Sequence, residues 1–237
     1  MLLQPIATAR LVAGVRTGRS AGGRPITVSA SGQRAAARRL LVVGCIHGIE
    51  CAGMAVARLV ARGPAGCPPG DADVWVVPDL DPDGRATGSR LNGDGVDLNR
   101  NFPAGWRLTG RPWDLEFSGP RPFSEPETRT ARAIIRALQP TVTVWFHQQA
   151  EPLVRAWGPS VPAARRYAAR VGLPFRRMRW LPGTAPRWQN TAFPRTASFV
   201  VELPPGPLGA RAARRHALAV LALAGLRGPL AGGTASE

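Results

Sequence analysis

Three apolar runs in this sequence each end in a residue able to bind a metal or move a proton, and that repeated ending restricts the folds available. Leu40-Leu41-Val42-Val43-Gly44-Cys45-Ile46 ends in His47, with Glu50 three residues further on. The run at 141–146, Thr-Val-Thr-Val-Trp-Phe, ends in His147, and Ser198-Phe199-Val200-Val201 ends in Glu202. Uncharged runs of this length read as strands buried on both faces, the usual condition of a parallel sheet. Ligands of open parallel sheets gather outside the carboxyl ends of the strands, so all three endings would meet at one edge. Two histidines and one glutamate, with a fourth position left for water, form a catalytic zinc pattern; structural zinc sites favour four closed ligands rich in cysteine.

Between these runs, strand and helix patterns alternate. A strand is expected at Ile26–Ala30, paired as an edge hairpin with the Leu40–Ile46 strand, followed by a helix from Ala52 to Arg62 and a strand at Val74–Val77. Ser124 and Glu127 have the spacing of a capping box. Ala131, Ile134, Ile135 and Leu138 then follow at helical intervals, with Arg129, Arg132 and Arg136 on the solvent side. Further on come a strand at Leu153–Trp157, a helix at Val161–Val171, a strand at Phe175–Trp180, a loop at Leu181–Thr196 and a closing helix at Leu208–Leu226. The expected fold class is therefore α/β, a doubly wound mixed sheet with helices on both faces. A length of 237 residues suits one domain, with 1–24 an irregular approach and 228–237 a flexible tail. The stretch 78–122 lacks periodicity and is rich in Asp, Asn, Gly and Arg; a segment that long inside a compact domain is disordered or functional, and its polar content favours function.

A net charge of +16 suggests phosphate binding, but all 31 basic residues are arginine and they are scattered, so no nucleic-acid partner is expected. No run approaches the roughly 20 apolar residues of a membrane span, and no export signal is visible at the N-terminus, so a cytoplasmic protein is expected. Three cysteines, Cys45, Cys51 and Cys67, offer no paired framework and suit a reducing compartment, with Cys45 a buried inert thiol. His216, among arginines in the closing helix, is expected to be exposed.

Together, His47-Gly48-Ile49-Glu50, the Asp-Leu-Asn-Arg-Asn-Phe-Pro run at 97–103, His147 and Glu202 resemble the zinc carboxypeptidase family, most nearly its bacterial murein peptide amidase branch. Pro82-Asp83-Gly84 and Ser124-Glu125-Pro126-Glu127-Thr128 add to the likeness. The resemblance implies that His47, Glu50 and His147 hold one zinc ion and that Glu202 is the general base. It further implies that Arg90 polarises the scissile carbonyl and that Asn99 with Arg100 grips a carboxylate of a small peptide substrate. The implied activity is hydrolysis of an amide next to a carboxylate-bearing residue, in a murein-derived peptide. Two rivals remain: an N-acyl amino acid deacylase of the succinylglutamate desuccinylase and aspartoacylase type, and a non-catalytic binding module. Two features depart from the pattern. The only tyrosine, Tyr167, precedes the loop where classical members place a substrate-contacting one, and the segment 148–152 differs from the murein branch. The loop at 182–190 either replaces that tyrosine or is scaffold.

Overall fold

The computed structural model describes residues 15–32, 36–63 and 72–224. Eight strands form one mixed sheet: β1 (Val15–Arg19), β2 (Pro25–Gly32), β3 (Arg38–Val43), β4 (Ala72–Val77), β5 (Val142–Gln148), β6 (Leu153–Ala156), β7 (Phe175–Arg177) and β8 (Ala197–Leu203). Their order across the sheet is β1-β2-β4-β3-β5-β8-β6-β7. The middle four, β4-β3-β5-β8, run parallel; β2 flanks them antiparallel on one side and β6 on the other. Central strands β5 and β8 are buried along almost their whole length, which accounts for their unbroken apolar sequence.

Successive side chains on these strands divide between two cores. Leu40, Val42, Val144, Phe146, Phe199 and Val201 pack toward α1 (Gly53–Arg62), α4 (Val161–Val171) and α6 (Ala210–Ala222). Leu41, Val43, Trp145 and Val200 face α3 (Pro126–Leu138) and α5 (Ala185–Ala192). Helix α1 carries the chain from β3 to β4 on one face, while α3 leads back to β5, on the other side of β3, across the opposite face. The crevice between the carboxyl ends of β3 and β5 is thus a topological switch point, where open α/β sheets bind ligands.

Several expectations need correction. Residues 15–19, expected to be irregular, form edge strand β1, antiparallel to β2. An edge strand without apolar alternation leaves no periodic signal, and Gly18 is needed because a Cβ there would lie 2.3 Å from the Thr130 hydroxyl on α3. The β2–β3 hairpin does not form, because β4 inserts between them through the parallel pairing that α1 permits. The capping box is also absent: Glu125, the residue before α3, occupies the cap position and makes no side-chain cap hydrogen bond. Glu127 instead accepts hydrogen bonds from Ala21 N and Asn92 Nδ2, and Ser124 Oγ donates to Glu125. The loop expected at 181–196 contains α5, whose short apolar face left little helical pattern in the sequence.

Cys45 and Cys51 are joined as a disulfide. Cys45 is therefore not the inert free thiol expected, and the cysteines no longer point to a reducing compartment. Cys67 and the tail at 228–237 lie outside the described residues, as do residues 1–14. Among the described residues, no helix is long and apolar enough to cross a membrane. His216 is buried, 2% exposed, rather than on the surface. It lies on the α6 face turned to the sheet and hydrogen-bonds the buried Tyr167 hydroxyl at 2.6 Å, a partner the helix's arginine-rich sequence conceals.

Candidate metal centre

Strand β3 ends at Val43, and the chain then makes a tight turn through 44–52 that carries His47 and Glu50 over the end of β5. The turn lies against α2 (Pro82–Thr87) so closely that a Cβ at Gly48 would stand 1.8 Å from the Gly84 carbonyl carbon, so residue 48 has to be glycine. Glu50 N donates to the His47 carbonyl, which brings both side chains to one side of the turn. His147 occupies the last turnless stretch of β5, on the sheet face shared with Trp145.

One ligand atom from each of His47, Glu50 and His147 lies within 4.8 Å of the others. His47 Nδ1 is 3.1 Å and His147 Nδ1 2.9 Å from the same carboxylate oxygen, Glu50 Oε2. His47 Nδ1 is buried and makes no hydrogen bond. Its other ring nitrogen, Nε2, donates to Asp97 Oδ1 at 3.0 Å. A carboxylate on the far side of a histidine ring is the usual device for orienting that ring toward a metal. Two imidazole nitrogens and a carboxylate, one nitrogen orphaned and directed inward, make a donor set that fits a zinc ion.

The electrostatics agree with that geometry. Burial alone would lower the pKa of His47, but the charge and hydrogen bond of Asp97, together with Glu50, raise it. His147 is shifted down, chiefly by burial, against an opposing pull from Glu50. Although burial opposes it, the histidine contacts hold Glu50 well below the usual carboxylate range, and His47 with Arg90 does the same for Asp97. The pocket therefore concentrates ionised carboxylate around imidazole, a negative field suited to a cation.

Other residues singled out in the sequence are placed as follows. Glu202 lies opposite His147 in the parallel pairing of β5 and β8, so the two side chains emerge on the same face. Arg90 donates from Nη1 to Glu50 Oε1 at 2.5 Å and from Nε and Nη2 to Asp97 Oδ2. Asn99 and Arg100 lie on a one-turn 3-10 helix, Leu98–Arg100, started by Asp97, whose side chain accepts from Asn99 N. Asn99 Nδ2 stands 3.4 Å from His147 Nε2, and its Oδ1 accepts from Ala185 N at the start of α5. Arg100 places Nη1 4.0 Å from Asp97 Oδ2 and donates from Nη2 to Glu116 at 2.6 Å, beside a cleft lined also by Arg107, Thr109 and Ser118.

Five of the seven residues, His47, Glu50, Arg90, Asn99 and His147, thus join one network of side-chain contacts; Glu202 lies beside His147 through the pairing of their strands, and Arg100 borders the network with Nη1 4.0 Å from Asp97 Oδ2. The structure adds Asp97, which touches His47, Arg90 and the 97–100 turn at once. The sequence signal was available: an aspartate two residues before Asn99 in a stretch with neither helical nor strand period is placed to cap a turn.

A zinc carboxypeptidase family profile matches residues 69–203. Murein peptide amidase A of Escherichia coli K12 is 40% identical over 83 residues, covering 30% of this chain and 34% of that protein. Carboxypeptidase B of Astacus astacus is 31% identical over 108 residues. The matched part thus spans about a third of the length of these curated relatives. Over whole structures the likeness extends further. The murein-tripeptide amidase of E. coli O157 superposes with a TM-score of 0.71 at 26% identity, covering 93% of this chain and 94% of that one. Carboxypeptidase A of Helicoverpa armigera shares the fold with a TM-score of 0.74 at 17% identity, over 91% of this chain and 68% of its own. A family match across more than half the chain, joined to a His-Glu-His cluster at the switch point of a mixed sheet, places this chain in the zinc carboxypeptidase family.

Proposed function

We propose that this chain is a zinc-dependent metallopeptidase or amidase that hydrolyses an amide next to a carboxylate-bearing residue in a murein-derived peptide. The supporting observation is the convergence of His47 Nδ1, His147 Nδ1 and Glu50 Oε2 around one point, with His47 Nδ1 left without a hydrogen bond. His47, Glu50 and His147 would hold a single zinc ion. When bound, zinc polarises the scissile carbonyl and lowers the pKa of water toward 7.

Glu202, beside His147, takes the proton from the attacking water and returns it to the departing amine. Arg90 uses three of its N–H groups to grip Glu50 and Asp97, which fixes the plane of its guanidinium. Its two remaining N–H groups meet the charge that develops on the carbonyl oxygen; removing one such preorganised donor typically costs about 2.7–4 kcal/mol of barrier. Arg100 receives the substrate carboxylate. Its present partner, Glu116, is largely exposed, so solvent screens that ion pair and a substrate carboxylate can displace it. Asn99 holds the 97–100 turn against α5 and His147, and so sets the distance between the carboxylate grip and the reacting amide.

Acidic substrates also suit the molecule's charge of +16, which raises their local concentration. The murein substrate class rests on similarity to the E. coli amidases. The test is a comparison of murein tripeptide with C-terminal dipeptides and N-acyl amino acids, using protein of measured zinc content. Tripeptide cleavage that stops on chelation and returns with zinc is the expected result. Turnover of N-acyl amino acids alone would replace the amidase with a deacylase, and no turnover by the zinc-loaded protein would remove the enzymatic reading.

A further inference from the structure

Glu202 ends β8, and β6 runs antiparallel beside it with Leu153 opposite Glu202 and Arg155 opposite Val200. Side chains two residues apart share a face of a strand, so Arg155, Val200 and Glu202 all project toward the face that holds His147. Arg155 reaches diagonally along the sheet and places Nη2 3.0 Å from Glu202 Oε1. The Glu202 side chain is 4% exposed, and among the described residues Arg155 is the one basic group in ion-pair contact with it. Reaching that position strands the Arg155 Nε–H, which is buried and has no hydrogen-bond partner. A buried donor without a partner is a standing cost, and in a native structure it calls for an explanation.

We infer that Arg155 is a positioning residue for the base: its guanidinium anchors Oε1 of Glu202, so that Oε2 alone is presented to the reacting water. This rests on the assignment of Glu202 as general base in the proposed function. A glutamate carboxylate is joined to the backbone through three rotatable bonds, and its terminal torsion is broad, so without an anchor its oxygens would sample a range of directions. A charge-assisted contact with a planar guanidinium narrows that range. Misplacing a catalytic group by about 1 Å can cost on the order of 100-fold in rate. Arg155 thus acts on the chemical step without touching the substrate. It differs in this from Arg90 and Arg100, whose free N–H groups are assigned to substrate oxygens.

The inference is tested in the zinc-loaded full chain with Arg155→Met, Arg155→Lys and Glu202→Gln. Arg155→Met is expected to lower kcat by about 100-fold while KM and zinc content stay unchanged. Arg155→Lys, which restores the charge at similar reach, should recover part of that loss. A crystal structure of Arg155→Met should show the Glu202 carboxylate in more than one rotamer, against one in the parent protein; no change in a merely structural contact would predict that together with the kcat effect. If Arg155→Met fails to fold, Arg155→Gln carries the same expectation and the same overturning results. An unchanged kcat overturns the inference, and so does a loss that falls on KM, which would make Arg155 a substrate contact. Glu202→Gln separates the two levels of the argument. If it stays active, the base assignment has failed; if it is inactive while the Arg155 variants behave like the parent, only the positioning role has.

Discussion

Two buried histidine environments lie on opposite faces of the same sheet, and they differ in what surrounds the ring. His47 and His147 sit at the ends of parallel strands among carboxylates, with Glu50 between them and Asp97 behind His47. His216 sits in the helical layer, where its hydrogen-bond partner is the neutral hydroxyl of Tyr167 and the charge nearest in effect is Arg215. Burial and, secondarily, Arg215 push the His216 pKa down to about 4, whereas the surrounding acids raise that of His47 despite complete burial. A histidine enclosed by apolar groups and a hydroxyl is a packed core residue that stays neutral. At His147 burial outweighs the pull of Glu50 and the pKa falls, but His47, flanked by Asp97 and Glu50, is held in a field that favours positive charge, which a metal cation answers as well as a proton does. The contrast lies in the partners, since burial is common to both.

The sharpest way to break the comparison is to remove the charge between the two strand-end histidines. Glu50→Gln keeps the shape of the side chain but deletes the anion that both Nδ1 atoms face, and it frees Arg90 Nη1 from its partner. Zinc content after dialysis should fall to background and peptide hydrolysis with it, while His216→Gln leaves both unchanged. If Glu50→Gln retained stoichiometric zinc, the carboxylate would not be a ligand. A smaller loss is expected one step removed from the cation. Asp97→Asn preserves the contact with His47 Nε2 but loses the charge, and outer partners of this kind typically contribute about 10- to 100-fold in metal affinity. Competition with a chromogenic chelator measures that directly; an unaltered affinity would reduce Asp97 to a turn cap. At the rim, Arg100→Ala should raise KM for acidic peptides by about 10- to 100-fold with kcat nearly unchanged, the equivalent of losing a hydrogen bond to a charged group. An equal fall in kcat would show that Arg100 also acts on the reacting amide.

The same comparison explains how much of the molecule could be read from its sequence. Strands β5 and β8 were legible because burial on both faces writes an uninterrupted apolar run, and His147 and Glu202 were legible as abrupt endings of those runs. His47 and Glu50 followed from the same rule. Strand β1 and helix α5 were not, since an edge strand and an eight-residue helix with few apolar residues write no clear period. The disulfide was missed because proximity across the 45–51 turn is a property of backbone path, which residue counting does not contain. Arg155 escaped for a different reason: its partner, Glu202, is far away in sequence, and that pairing appears only once the sheet order is known, while Asp97 was legible as a turn cap but not as the partner of His47, 50 residues away. His216 was misjudged because its arginine neighbours describe the outer face of α6, whereas helical geometry turns residue 216 inward with Ala213 and Val220.

That misjudged residue supplies the mildest test. In the unfolded chain His216 would titrate near 6.5, and in the folded chain near 4, so between those values the unfolded state binds more protons. Its neutral burial therefore costs nothing at pH 7 and above, and stability is lost as the pH falls through 6.5 toward 4. Between pH 7 and pH 5.5 the loss from this one group should be about 1 kcal/mol. His216→Gln forfeits the imidazole's bond to Tyr167 at every pH but has nothing to titrate, so its denaturation midpoint should decline less than the parent's over that interval. Urea denaturation of both proteins, stripped of metal to silence the zinc site, gives the two slopes. Parallel slopes would mean that His216 keeps an ordinary pKa in the folded state, and that a neutral hydroxyl and apolar packing do not suffice to hold a buried histidine uncharged.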